Sequence, residues 1–354
     1  MTSFEAKKPG TESNEKVYKQ PVPVKFKLVK TLITGGAGFI GSNLAGALIE
    51  RGDSVAIIDN LSTGKRENLE ALMSANEINL VVGSILDRQI LEPLVEEADL
   101  VYHLAAVVGV ERVCHDPART LQINIEGTKT LLELGLDFET PVVLASTSEI
   151  YGKNDDLPLA EGDNTILGPT TVPRWSYAVS KLADEHLALS LANTIPITIV
   201  RYFNCYGPYV DPAGYGSVVA RFIDQALRGR PITIYGDGNQ TRSFTYVRDS
   251  VDGTIAAALR SESDIFNIGC PTETTINELA ARVLEMTESK SHIVHQPAPK
   301  HLGPFEDQRR RKPDITKAQR KLGFDPGTNL DEGLEQTIAW MRAKNKETLT
   351  RRAA

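Results

Sequence analysis

Only three cysteines occur among the 354 residues: Cys114, Cys205 and Cys270. The set is odd in number and widely spaced. It suggests neither a disulfide framework nor a zinc site, and fits a reducing cytosol. No apolar run reaches the roughly 18 residues that a membrane span needs. The first residues lack the apolar stretch of a signal peptide. There is no internal repeat of fixed period. Basic residues are not in excess: 39 Lys and Arg against 46 Asp and Glu give a net charge of −7. That balance favours solubility and argues against a general nucleic-acid binder. What is present is ordinary: 41% hydrophobic and 24% charged residues, as in a soluble globular protein. At about 100–200 residues per domain, the length suggests two domains, or one with a lobe attached.

Residues 1–26 are polar and lysine-rich, with Pro9, Pro21 and Pro23. They read as a flexible arm. From Leu28 the pattern changes. Leu28–Thr34, Ser54–Asp59, Asn79–Val82, Leu100–Leu104, Val142–Ser146 and Ile197–Tyr202 form short apolar runs typical of buried strands. Helical spacing lies between them, near 39–51, 67–75, 89–97, 118–134 and 177–193. This alternation predicts an α/β fold, a doubly wound parallel sheet of the Rossmann type over residues 27–203. Beyond Asn204, glycine and proline become frequent. Short strands are expected at 232–235, 244–247, 265–268 and 291–295, the last placing His292 and His295 as strand residues rather than metal ligands. Thr275 and Glu278 form a capping-box pattern before the Ile276–Leu284 run. Residues 204–343 are read as mainly a smaller α/β substrate-binding lobe, with some segments returning to the main sheet. Residues 344–354 are read as a tail.

The strongest local signal is Gly35-Gly36-Ala37-Gly38-Phe39-Ile40-Gly41, between the first strand and the first helix. Gly35 permits a tight turn, Gly38 lets the backbone approach a pyrophosphate, and Gly41 allows close helix–strand packing. The helix N-terminus supplies free N–H groups for phosphates. Asp59 ends the second strand, 18 residues after Gly41. A carboxylate there can bind ribose hydroxyls and repel a 2′-phosphate, which favours NAD over NADP. It can equally be a loop-capping aspartate, and Lys65 and Arg66 nearby could admit a phosphate.

Tyr177 and Lys181 are four residues apart in an expected helix, so they share one face. A neighbouring ammonium favours the phenolate and would lower the tyrosine pKa toward that of a working base. The pair lies downstream of a strand ending in Ser146-Thr147-Ser148-Glu149. A hydroxyl there can orient a substrate alcohol, and the carboxylate of Glu149 can move a second proton. Plain loop chemistry would also explain these residues.

Five segments together resemble the extended short-chain dehydrogenase/reductases, the NAD-dependent epimerase/dehydratase family acting on nucleotide sugars. They are Thr34–Gly41, Asp59-Asn60-Leu61-Ser62-Thr63-Gly64, His103–Ala106, Tyr177-x-x-x-Lys181 and Arg201–Pro208. The resemblance covers about residues 28–343. It implies Thr147, Tyr177 and Lys181 as the catalytic triad, with Glu149 beside them. It implies NAD contacts from the glycine loop (Gly35, Gly38, Phe39, Ile40, Gly41), from Asp59, Asn60, Ser62, Thr63 and Gly64, and from Ser84, Ile85, Leu104, Ala105, Ala106 and Asn124. Ser84 departs from the aspartate that many relatives carry against adenine. A homodimer is implied, packed through the helices near 118–134 and 177–193.

Thr147-Ser148-Glu149 is similar to the motif of UDP-glucuronate decarboxylases, as are the stretches Pro173–Lys181 and Glu306–Ile315. The resemblance implies an arginine at Arg311 entering the sugar pocket, where it can pair with a uronate carboxylate. The alternative for Arg309–Lys312 is a solvated basic run. Substrate contacts are further implied for Ser148, Asn204, Tyr235 and Arg242. The expected activity is UDP-glucuronate decarboxylation to UDP-xylose through a 4-keto intermediate. A UDP-sugar 4-epimerase is the alternative, followed by a nucleotide-sugar 4,6-dehydratase. No metal, nucleic-acid or membrane partner is expected, and the location expected is cytoplasmic.

Overall fold

The computed structural model describes residues 29–212, 217–297, 299, 306 and 308–353. The expected arm at 1–26 lies outside them. The first part of the chain alternates as expected: β1 (Lys30–Thr34), α1 (Phe39–Arg51), β2 (Ser54–Asp59), α2 (Glu70–Ser74), β3 (Ile78–Val82), α3 (Arg88–Glu96), β4 (Leu100–His103), α4 (Val110–His115), α5 (Pro117–Asp137), β5 (Val142–Thr147), α6 (Trp175–Ser190) and β6 (Ile197–Tyr202). Then follow β7 (Cys205–Tyr206), α7 (Val218–Leu227), β8 (Ile232–Tyr235), β9 (Thr241–Arg242), β10 (Thr245–Tyr246), α8 (Val247–Ala258), β11 (Asp264–Ile268), β12 (Thr274–Thr275), α9 (Ile276–Thr287), β13 (Ile293–Gln296), α10 (Thr316–Leu322) and α11 (Leu330–Ala353).

Seven strands form one sheet in the order β11-β6-β5-β4-β1-β2-β3. Every neighbouring pair is parallel. Such a sheet must be buried on both faces, and its residues alternate between two cores. Ile33, Ile57 and Val143 face the core that contains α1 residues Leu44 and Leu48. Leu32, Ile58, Val142 and Leu144 face the other, with Leu131 of α5 and Ala188 of α6. The strand order reverses between β1 and β4. That reversal opens a crevice at the carboxyl ends of the strands, where such folds bind ligands.

Beyond β6 the small strands pair as β7 with β10, β9 with β12 and β8 with β13. The expected capping box is present: Thr275 Oγ1 accepts from the Glu278 amide at 3.0 Å, and the Glu278 carboxylate accepts from the Thr275 amide at 2.9 Å. His292 lies just before β13 and His295 within it, where His295 Nε2 meets Asn277 Oδ1 at 2.9 Å.

Three expectations need correction. The run at 244–247 is not one strand: β10 holds only Thr245 and Tyr246, and Val247 opens helix α8. Val247, Val251, Thr254 and Ala257 are buried at helical spacing. Valine, threonine and Gly253 are weak helix formers, which masked that helix, and tertiary packing overrides the propensity. The stretch near 67–75 is a short 3₁₀ turn (Arg66–Leu69) followed by α2. The tail drawn from 344 is continuous with α11.

One buried ion pair ties the sheet to α6. Arg201 of β6 donates from Nε to Glu185 Oε1 at 3.0 Å and from Nη2 to Glu185 Oε2 at 2.7 Å. Both residues are almost fully buried. Removing one partner of such a pair strands the other charge and costs about 3–5 kcal/mol. We expect Arg201→Met to lower unfolding stability by that amount in denaturant titration. The double variant Arg201→Met/Glu185→Leu should recover most of the loss. Failure of the second change to rescue the first would show that the pair is not the source.

Candidate active site

A cavity of about 1320 Å³ runs along the carboxyl ends of the strands. Its floor is the β1–α1 turn. Gly35 has φ +73°, and a Cβ there would lie 2.8 Å from the Ala105 backbone. A side chain is therefore excluded twice, by conformation and by space. At Gly41 a Cβ would lie 2.5 Å from the Gly35 carbonyl oxygen, which lets α1 start tight against β1. No side chain caps the N-terminus of α1 at Gly38. Its first amides and positive partial charge therefore remain available to an anion.

Asp59 stands at the end of β2 beside this turn. Its Oδ2 accepts from the Ala37 amide at 3.0 Å and its Oδ1 from the Leu61 amide at 2.8 Å. It is both a loop-holding aspartate and a cavity residue. Burial raises its carboxyl pKa, and the two amides oppose that shift. Each carboxylate oxygen keeps a lone pair for a ribose hydroxyl. The bare glycine turn, the uncapped helix and this carboxylate fit a dinucleotide. Gly35, Gly38, Phe39, Ile40, Gly41, Asp59, Asn60, Ser62, Thr63, Ser84, Ile85, Leu104, Ala105 and Ala106 all line the cavity.

Two residues expected at the cofactor do not line it. Gly64 packs behind Asp59, where a Cβ would meet Asp59 Oδ2 at 2.7 Å. Asn124 is fully buried. Its Oδ1 accepts from the Val107 amide at 2.7 Å and its Nδ2 donates to Ser180 Oγ at 2.9 Å. Asn124 thus positions the segment after β4 against α6. The resemblance implied it as a cofactor contact; it is fully buried and lies behind the cavity lining.

Thr147, Ser148, Glu149, Tyr177 and Lys181 meet on the opposite wall. Thr147 ends β5 and hydrogen-bonds the Tyr177 phenol. The expected lowering of the tyrosine pKa is absent. Burial pushes the phenol upward, the negative charges of Glu149 and Asp184 add to that, and the Thr147 bond opposes them. Burial is the main cause, and the cation expected to oppose it is paired elsewhere. Lys181 Nζ lies 3.1 Å from Oδ2 of Asp184, one turn further along α6 and completely buried. Beneath this pair, His103 bridges Thr34 Oγ1 at 2.7 Å and Thr128 Oγ1 at 3.0 Å. Burial, aided by the Lys181 charge, lowers the imidazole pKa to about 3.

Arginines enclose the far end. Asn204, Tyr235, Arg242 and Arg311 line the cavity, as expected. Asn204 is held at φ +30°, and its buried Oδ1 has no hydrogen-bond partner among the described residues. Strain together with an unpaired carbonyl at a cavity is a feature of residues that contact ligands. Tyr235 is half-buried at the cavity wall, and its ring carries the Arg221 guanidinium 4.7 Å from its centroid. The run Arg309–Arg311 is resolved residue by residue. Arg309 pairs with Asp237 at 3.0 Å and Arg310 with Glu273 at 2.5 Å, both near the surface. Arg311 turns inward and is buried, with Nη1 3.9 Å from Glu149 Oε1. Sequence reasoning did not single out Arg174 and Arg221, which also line the cavity. Arg174 lies three residues before Tyr177, just ahead of α6.

The GDP-mannose 4,6 dehydratase family model matches residues 32–337. The chain belongs to this family, within the extended short-chain dehydrogenase/reductases. A UDP-N-acetyl-alpha-D-glucosaminuronate decarboxylase of Bacillus cytotoxicus is 43% identical over 316 residues, 88% of this chain and 98% of that protein. UDP-glucuronic acid decarboxylase 1 of Arabidopsis thaliana is 36% identical over 327 residues, 91% of this chain and 72% of that protein. Among solved structures, UDP-glucuronic acid 4-epimerase of Bacillus cereus, in complex with UDP-glucuronic acid and NAD, superposes with a TM-score of 0.79. It is 30% identical and covers 89% of this chain and 99% of that one.

Two outcomes follow for this family member. Gly35→Ala should abolish retention of NAD while the fold survives, which absorbance of the released nucleotide and circular dichroism will check. His103 should stay neutral across pH 5–8, with a constant imidazole shift in NMR. Its unfolded pKa is about 6.5. Protonation on unfolding therefore withdraws stability as pH falls from about 6.5 toward 3, and a titrating His103 would contradict this.

Proposed function

We propose that the protein is a redox-neutral, NAD-dependent UDP-hexuronate decarboxylase, converting UDP-glucuronate to UDP-xylose as a cytoplasmic homodimer. One observation carries the reading: Arg311, alone of three consecutive arginines, is buried at the cavity that Tyr177 and Thr147 also line, with its Nη1 3.9 Å from Glu149 Oε1. A uronate carboxylate needs a desolvated cation near a proton-handling group, and a neutral hexose does not.

Bound NAD supplies the reversible two-electron oxidation at the sugar C4. Gly35, the α1 N-terminus and Asp59 would hold it. Tyr177 must first lose its own proton to solvent, which the positive charge of bound NAD⁺ would favour against burial, Glu149 and Asp184. As phenolate it would take the C4 hydroxyl proton, and Thr147 would hold the C4 oxygen by its hydroxyl. Lys181 shares a helix face with Tyr177, and its ammonium is held by Asp184 at 3.1 Å. In the 4-keto sugar the carboxylate on C5 is β to a ketone. The bond from C5 to the carboxylate then breaks, CO₂ leaves, and the electron pair moves onto the C4 oxygen as an enolate. Glu149 handles the proton that returns to C5. Tyr177 gives its proton back when C4 becomes a hydroxyl again. Arg242 and Asn204 hold the diphosphate, Ser148 contacts the sugar, and Tyr235 offers a face to uracil.

In this reading residues 27–203 serve mainly NAD and residues 204–343 mainly the sugar nucleotide. The dimer is supported by exposed Leu136 on α5 and by Val179 and Leu189 on α6, two helices packed side by side on one face. The cytoplasmic assignment rests on three free cysteines.

Two variants of the reading have support. The 43% identical relative named for UDP-N-acetyl-glucosaminuronate suggests an acetamido group at C2 in place of a hydroxyl. The 4-epimerase neighbour suggests return of the 4-keto sugar without loss of CO₂. Proton NMR on UDP-glucuronate, its 2-acetamido analogue and UDP-glucose separates them. We expect a UDP-pentose and CO₂ from a uronate. UDP-galacturonate without CO₂ would replace decarboxylation by epimerisation. Tyr177→Phe should cut turnover by at least about 10²-fold with NAD still bound, and unchanged activity would remove Tyr177 from the mechanism.

A further inference from the structure

We infer that Asp184, a fully buried acid with no part in the steps above, is a positioning residue: it holds the Lys181 ammonium and keeps the Tyr177–Lys181 pair from releasing a proton until NAD⁺ is bound. The inference rests on Tyr177 as the base and adds the residue that decides when that base forms.

Asp184 stands on α6 three residues after Lys181 and seven after Tyr177, so all three share one helix face. Lys181 Nζ lies 3.1 Å from Asp184 Oδ2, with side chains 3% and 0% exposed. Lys181 forms no other ion pair among the described residues. Thr128 of α5 stands beside the Asp184 carboxylate, yet neither Asp184 oxygen has a well-aligned hydrogen bond among the described residues. Two desolvated charges so placed depend on each other.

The other neighbours leave that dependence intact. His103 of β4 meets Thr128 Oγ1 at 3.0 Å and is neutral, so it brings no charge. Glu185, next in α6, is paired with Arg201 at 2.7 Å. From the cavity side Tyr177 is faced by Thr147 of β5 and by Glu149, which Arg174 and Arg311 approach at 3.8 and 3.9 Å.

Loss of a proton from the Tyr177–Lys181 pair removes one positive charge. An anion fixed in the same buried place opposes that loss. Interacting sites give up protons as a unit, so the direction is the same whether the phenol or the ammonium yields it. Asp184 largely cancels the Lys181 charge, and the phenol keeps its proton until a further cation arrives. The positive ring of NAD⁺ is such a cation, and the uncharged ring of NADH is not. Asp184 thereby ties the base to the oxidised cofactor.

The test uses full-length protein carrying NAD. Phenolate absorbance is followed against pH, and the same titration of Tyr177→Phe is subtracted, which leaves the signal of one phenol. Asp184→Asn removes the charge and little volume. The Tyr177 phenolate should then appear about one pH unit or more below its wild-type position. The acidic limb of kcat should move down with it. One unit below the wild-type midpoint, turnover should rise from about a tenth to about half of its plateau. Asp184→Glu keeps the charge and should restore the wild-type limb. Asp184→Ser supplies a second neutral side chain if the Asn variant does not fold, with circular dichroism as the check. Wild-type protein carrying NADH should hold the Tyr177 proton to higher pH than protein carrying NAD⁺. Lower plateau turnover with an unmoved limb and unmoved phenolate would make Asp184 a structural residue and overturn the inference, as would a limb that moves up. Equal titrations with NAD⁺ and NADH would overturn the tie to the cofactor. Full turnover in Tyr177→Phe would instead overturn Tyr177 as the base, a failure that the phenolate titration keeps separate.

Discussion

The rest of the structure depends on how Arg201 is satisfied. Its guanidinium holds Glu185 of α6 by two bonds and also donates to Tyr151 Oη and to the Glu161 carbonyl, both at 2.9 Å. Glu185 in turn accepts from Ser146, the residue before Thr147. Tyr151 donates to Asn267 of β11 at 2.8 Å, and Asn267 donates to the Asp314 carbonyl at 3.2 Å. One buried cation thereby sets the relative positions of the strand end carrying Thr147, the turn carrying Glu149, the helix carrying Tyr177 and Lys181, and the segment just after Arg311. Fully satisfied networks of this kind fix geometry, because every alternative leaves a polar group unpaired.

Much of this was legible before any coordinates. The apolar runs of β1 to β6 stand out because a sheet covered on both faces needs little else. The glycine turn was legible because no other residue fits at Gly35. Less legible were features that depend on which neighbour a side chain meets. Arg309, Arg310 and Arg311 are identical letters, and only tertiary partners sort them into two surface pairs and one buried charge. Lys181 and Asp184 are visibly three apart, but their burial is not visible, so the cation was assigned to the phenol instead. Asn124 was implied by resemblance alone, and its burial between the segment after β4 and α6 depends on tertiary packing.

Charge is distributed in the same local way. The whole chain is acidic, with a net charge of −7. Arg174, Arg221, Arg242 and Arg311 nevertheless gather at one cavity, three of them almost fully buried. Positive charge concentrated at one cavity suits an anionic ligand, and a nucleotide diphosphate with a uronate is strongly anionic. Net charge describes the outside of this molecule and says little about its interior.

The place of β11 has a consequence for how the chain is made. It pairs with β6, yet the whole of residues 203–263 separates the two strands. The sheet is therefore complete only after 268 of 354 residues have been synthesised. Until then Ile199 and Val200 lie on an unpaired parallel edge, the kind of surface that joins the wrong chain. No cut between a cofactor half and a sugar half would leave both intact. The later part of the chain supplies an edge strand of the first part's sheet, so a cut after residue 203 would remove it.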